Sequence, residues 1–116
     1  MQDKHFFNNL DKLISVNGIT IDRPKGTPHP RYPEYIYPMD YGYINNTTSG
    51  DGHGIDVWVG SLDSKSVTGV IVAVDLLKRD SEIKVLVSCS GEEINIALHK
   101  ANDGDMSGIL IKRMGQ

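Results

Sequence analysis

All five prolines of this 116-residue chain lie between positions 24 and 38: Pro24, Pro28, Pro30, Pro33 and Pro38. Each locks φ near about −65° and removes an amide donor, so neither a helix nor a central strand fits there. The stretch reads as a stiff, extended loop, and it divides the chain. Ahead of it, Phe6, Phe7, Leu10, Leu13 and Ile14 recur at helical spacing with Lys4, Asn8, Asp11 and Lys12 between them. This predicts a short amphipathic helix with Asp3 as N-cap and Asn17-Gly18 as its stop. Ile19-Thr20-Ile21 then reads as a strand.

Behind the prolines the texture is β. Tyr41-Gly42-Tyr43-Ile44 is a predicted strand, and 45–54 is a polar, Gly-rich connection. In 55–59, Ile55, Val57 and Val59 take one face, Asp56 and Trp58 the other. The apolar run 70–74 reads as a strand buried on both sides. Ile83, Val85 and Val87 alternate with Lys84, Leu86 and Ser88, which sends Lys84 to the opposite face. A short helix over 91–102 uses Ile94, Ala97 and Leu98, and 109–111 closes as a last strand. The expectation is a mainly β (α+β) fold: a small OB-like five-stranded β-barrel, closed or partly closed, with a short N-terminal helix and a short helix before the last strand. At this length residues 1–116 are expected to be a single domain.

Composition narrows the function classes. Hydrophobic residues at 39% and charged residues at 23% give a globular balance. A net charge of −3 argues against a protein held on nucleic acid by bulk charge. The one cysteine, Cys89, makes neither an internal disulfide nor a four-ligand zinc cage, which predicts a reducing compartment. There is no apolar run of roughly 20 residues and no signal-like apolar stretch at the start. A cytoplasmic protein with no membrane partner is the expectation.

The residues most suited to chemistry lie in Ser49-Gly50-Asp51-Gly52-His53-Gly54-Ile55-Asp56. Three glycines permit sharp turns, so Asp51, His53 and Asp56 can converge. Carboxylates at such a loop suit a hydrated cation such as Mg2+; the imidazole shifts the preference towards Mn2+ or Zn2+. A polar turn in which Asp51 bonds to local amides explains the loop equally well. Asp56 stands apart, because it lies inside a strand, where Asp is depleted and needs a partner. Downstream, Asp80, Glu82 and Lys84 offer two more acids and an ammonium, with Glu82 and Lys84 on one face. These residues complete a cation and phosphate site or form a solvated hairpin with weak ion pairs. The proline segment adds Arg31, beside Tyr37 and Tyr41, whose hydroxyls suit phosphate oxygens. Tyr43 reads as a packing residue.

At Tyr37-Pro38-Met39-Asp40-Tyr41-Gly42-Tyr43-Ile44 and Asp51-Gly52-His53-Gly54-Ile55-Asp56-Val57 the chain resembles the soluble family I inorganic pyrophosphatases. Their signature reads Y-P-x-x-Y-G-Y-I, then D-x-D-P-x-D, and the spacing between the two matches without a gap. The resemblance implies an OB-like barrel, a cytoplasmic homo-oligomer, and Mg2+-dependent hydrolysis of pyrophosphate, or of another phosphoanhydride, to phosphate. It implies Asp51, Asp56, Asp80 and Glu82 as metal ligands. Tyr37, Tyr41, Arg31 and Lys84 become substrate-binding residues, and His53, Asp56 and Lys84 catalytic ones.

Departures from the pattern are specific. His53 stands where the family has its middle aspartate, as a substituted base or a ligand for Mn2+ or Zn2+; Gly54 replaces the signature proline. Gly18 and Thr20 fall near the places of an early lysine and glutamate. No motif ties Lys112 or Arg113 to the family's C-terminal tyrosine–lysine clamp. Two alternatives therefore accompany the hydrolase: an impaired relative that binds a phosphate-bearing ligand, and an OB-type nucleic-acid binder, which the acidic balance disfavours.

Overall fold

The computed structural model describes residues 3–114. Helix α1 (Asp3–Asn17) buries Phe7 and Leu10. Asp3 is already helical, in the first turn, where its carboxylate meets the positive end of the helix dipole instead of capping it from outside. Gly18, at φ 77°, ends the helix and donates its amide to the Ile14 carbonyl at 2.7 Å.

Six strands form one sheet: β1 (Ile19–Arg23), β2 (Asp40–Ile44), β3 (Asp56–Val59), β4 (Val67–Asp75), β5 (Asp80–Val87) and β6 (Met106–Lys112). Their order is β1-β2-β3-β5-β4-β6. Neighbours are antiparallel except β3 and β5, which run parallel. The mainly β architecture with two helices is the expected one, but six strands replace five, and among the described residues the sheet stays open with β1 and β6 at its edges. The physical reason is that both faces are already covered. Helix α1 closes one face over Ile44, Val57, Val70 and Val85. Helix α2 (Gly91–Lys100) and the proline segment close the other over Trp58, Ile71 and Leu86. A sheet buried on both sides gains little by curling onto itself.

A bulge in β4 between Val67 and Gly69 places Val67 and Val70 in the same core, although they are three residues apart. Helix α2 begins with a capping box: Ser90 Oγ accepts from the Glu93 amide and Glu93 Oε1 accepts from the Ser90 amide. Among the described residues no helix is long and apolar enough to cross a membrane.

The proline segment is more ordered than a plain loop. The His29 amide donates to the Tyr35 carbonyl and the Tyr37 amide to the Thr27 carbonyl, around a Pro28–Ile36 bridge. In this register residue 28 needs no donor of its own, so proline is accommodated. The alternation leaves Ile36 half exposed, buries Tyr37 and partly covers Tyr35. Both rings pack in or against the core on the α2 face.

Candidate active site

The parallel pairing of β3 with β5 sets Asp56 beside Lys84 in register, and the antiparallel pairing of β2 with β3 sets Tyr41 opposite Trp58. Alternation puts Glu82 on the face of Lys84, as the spacing predicts. The Lys84 ammonium donates to Tyr41 Oη at 2.8 Å and Asp56 Oδ2 at 3.2 Å, and lies 2.8 Å from Glu82 Oε1. Three donors meet three acceptors, so the ammonium is satisfied. The side chains of Lys84, Asp56 and Glu82 are only 14, 24 and 17% exposed.

Electrostatics follow from that geometry. Burial alone would favour a neutral Lys84 amine, but Tyr41, Asp56 and Glu82 outweigh it and hold the ammonium above its ordinary pKa. Burial raises Asp56 above the usual carboxylate range, against the lowering effect of Lys84. Burial also raises Tyr41, so its hydroxyl stays neutral and retains a proton to donate. With both acids ionised, two negative charges face one positive charge, leaving a deficit for a further cation.

The fold brings together Asp56, Glu82, Lys84 and Tyr41, with Tyr37 one ring further, its centroid 5.7 Å from that of Tyr41. Asp80 opens β5, two residues before Glu82 on the same face, and pairs in register with Asp75. Arg31 is exposed, its amide donating to His29 Nδ1. Asp51 and His53 stay on the exposed loop. Asp51 Oδ1 accepts from Ser49 Oγ at 2.7 Å and from the His53 amide at 2.9 Å, and these bonds lower its pKa. Among the described residues, no hydrogen bond or ion pair links this turn to Asp56, Glu82 or Lys84. Gly54, in the proline position of the signature, lies under the Tyr43 ring, which is 36% exposed.

Among the described residues no three His, Cys, Asp or Glu side chains are grouped for a metal ion. That donor set does not make a cage for zinc. Magnesium asks for less, since it keeps several waters and takes one or two carboxylates plus substrate phosphates. Asp56 and Glu82 fit that requirement.

The fold joins His29 and Trp58 to the tyrosines of the proline segment in one aromatic wall. His29 stacks on Tyr37 with centroids 6.0 Å apart; Tyr35 meets Tyr37 edge-on at 5.1 Å, and Tyr41 meets Trp58 at 4.5 Å. With Lys84 below, these rings line a cavity of about 550 Å³. The Lys100 ammonium sits 3.9 Å above the Tyr35 ring at its side. The residue 58 alternation did place Trp58 with Asp56. Nothing local signals Lys100, which reaches the cavity from the last turn of α2.

Two other residues are structural. The Cys89 thiol is buried and pushed up to about 12, by burial first and by Glu93 second, which makes it a packing group. Arg113 ties α1 to β4: Nη1 donates to Asp11 Oδ2 at 2.7 Å and to the Val67 carbonyl, and Nη2 to Asn8 Oδ1.

Several solved structures share this fold. The inorganic pyrophosphatase of Helicobacter pylori aligns at a TM-score of 0.53 and 16% identity, covering 81% of each chain. An inorganic phosphatase from Anaplasma phagocytophilum aligns at 0.55 and 16%, again over 81% of each. The inorganic pyrophosphatase of Neisseria gonorrhoeae aligns at 0.52 and 19%, over 79% of this chain and 80% of its own. At such identities the likeness speaks to the fold. No curated protein sequence matches the chain. The family model for inorganic pyrophosphatase matches residues 4–78, a span that takes in the β2 tyrosines, the acidic loop and Asp56 but ends before Glu82 and Lys84. Over well more than half of its length, then, the chain carries the sequence pattern of that family on that fold: it belongs to the inorganic pyrophosphatase family.

Proposed function

We propose that the protein hydrolyses inorganic pyrophosphate to two phosphates at the Asp56–Glu82–Lys84 cluster. The observation that carries this reading is the Lys84 ammonium, held between two mostly buried carboxylates and the Tyr41 hydroxyl, with Lys84 and Tyr41 lining the cavity. Such a cluster has a fixed positive charge for phosphate oxygens and excess negative charge for a divalent ion. Asp56 and Glu82 would hold Mg2+, with Asp51 and Asp80 as further ligands; a His53 ligand would favour Mn2+ or Zn2+. When bound, such an ion would supply charge neutralisation on the phosphates and acidify water.

The chain's own groups do the rest. Lys84 neutralises the departing phosphate, the Tyr41 and Tyr37 hydroxyls donate to its oxygens, and Arg31 adds a second cation from the proline segment. The water oxygen bonds to one phosphorus, the bridging P–O bond breaks, and its electron pair leaves with the second phosphate. His53 takes the water's proton as general base. The chain acts as one domain, cytoplasmic and assembled as a homo-oligomer.

The test is phosphate release from pyrophosphate with Mg2+, Mn2+ and Zn2+ in parallel, against Asp56→Asn. Metal-dependent turnover that Asp56→Asn abolishes is the expected result. Folded protein that binds pyrophosphate without turning it over would replace hydrolysis with the phosphate-binding alternative. The self-bonded Asp51–His53 turn favours that second reading.

A further inference from the structure

The cavity beside the cluster is built for more than an inorganic anion. Its volume of about 550 Å³ lies within the roughly 300–1,000 Å³ typical of small organic ligands. The Tyr37, Tyr41 and Trp58 rings form its wall, and Tyr32, 54% exposed, lies at 5.2 Å from His29. Tyr37 and Trp58 are already packed, at 7% and 4% exposed, so the aromatic surface open to a ligand is Tyr32 with half-buried His29 beside it. Pyrophosphate presents only oxygens and would leave that surface uncovered. A second observation points the same way. Tyr35 lines the cavity, and its hydroxyl is the one buried side-chain polar atom among the described residues without a hydrogen-bond partner. A buried, unpaired hydroxyl costs about 1–3 kcal/mol, and a small turn of the Tyr35 ring towards the cavity would bring it to a ligand acceptor or donor. Charge is balanced around the ring wall, with Lys100 close to Asp103 at 3.5 Å and Glu34 also on the lining. Those two carboxylates are acceptors for sugar hydroxyls or ring amines.

We propose that this aromatic cup is a subsite for the base of a nucleoside diphosphate or triphosphate, whose phosphates extend to the Asp56–Glu82–Lys84 cluster. The inference rests on the proposed phosphate site and names the organic part of what binds there. Stacking supplies affinity for the base and tolerates any base, because every base has a π-face. Lys84, whose three donors are already engaged, acts on the phosphates through its charge, and Tyr35 meets a polar atom of the nucleoside.

The experiment uses the intrinsic fluorescence of Trp58, the protein's single tryptophan, which lies in the cup. ADP, adenosine and pyrophosphate are titrated separately, with and without Mg2+, and calorimetry gives each Kd. ADP is expected to bind at least about tenfold more tightly than pyrophosphate, as one stacked base implies, and ADP and adenosine both shift the Trp58 emission. Tyr32→Ala, at an exposed ring, is expected to lower the ratio of ADP to pyrophosphate affinity about tenfold. A ratio that Tyr32→Ala leaves unchanged, or ADP binding no tighter than pyrophosphate with Trp58 silent, overturns the proposal. The two readings fail separately. Pyrophosphate turnover with no preference for ADP removes the subsite and keeps the hydrolase. Tight ADP binding that shifts Trp58, without turnover of pyrophosphate, keeps the subsite and removes the hydrolase.

Discussion

Replacing Lys84 by methionine tests the electrostatic reasoning directly. The substitution keeps the aliphatic stem and deletes the ammonium that touches Tyr41 Oη at 2.8 Å, Asp56 at 3.2 Å and Glu82 at 2.8 Å. Breaking a buried ion pair by removing one partner costs about 3–5 kcal/mol. Side-chain exposures of 17–24% at the two acids leave some water access, which puts the expected cost near the lower end, about 3 kcal/mol at pH 8. At about 4 °C per kcal/mol for a domain of this size, Tm falls by about 12 °C.

The pH dependence makes the test specific. In the parent, the raised Lys84 pKa means its stabilisation is complete below the ordinary value of 10.5 and is lost only as pH rises through its higher folded value. Titration of Lys84 therefore contributes nothing between pH 4 and 8. Asp56 already sits above its ordinary 3.8 through burial, and loss of the ammonium raises it further. A raised carboxylate pKa means the folded state holds the proton more tightly, so stability falls as pH rises from 3.8 through the folded value. The deficit of Lys84→Met against the parent should grow from pH 4.5 to pH 8, read by urea unfolding at each pH. A deficit under about 1 kcal/mol at pH 8, the size of a surface pair, would refute the reasoning. So would an equal deficit at both pH values.

Other consequences are separable from the site. Arg113→Met removes three bonds, two to α1 and one to β4; a loss of about 2 kcal/mol in urea unfolding is expected, with pyrophosphate turnover unchanged in folded protein. At Gly42 a β-carbon would collide with the Thr20 carbonyl group and Ile21 Cα of β1, so Gly42→Ala should cost about 1–3 kcal/mol and speed amide exchange in β1. Gly91→Ala is the matched control: a β-carbon there meets nothing within 4 Å, and stability should stay within about 0.5 kcal/mol of the parent.

Much of the architecture is legible from local pattern. Helical spacing of Phe7 and Leu10 marks α1, and alternation marks β3 and β5 together with the face each side chain takes. The prolines rule out a regular element over 24–38, although not the small hairpin that the Pro28–Ile36 bridge closes. Asp56 is conspicuous because a carboxylate inside a strand needs a partner, and Lys84 is the partner the fold supplies. The tyrosine and aspartate signature also carries the family.

Sequence alone thus determined the elements, their buried faces and the residues with chemical capacity, since each follows from spacing along a few neighbouring positions. Tertiary structure decided which capacities meet. The parallel placement of β5 against β3 brings Lys84 to Asp56 across a separation of 28 positions, while the Asp51–His53 turn satisfies itself on the surface. It also left the sheet open and gathered His29, Tyr35 and Lys100 around one cavity. These outcomes depend on burying two faces at once, under α1 and under α2. Strand order is set by that summed burial over distant residues, and no local period encodes it.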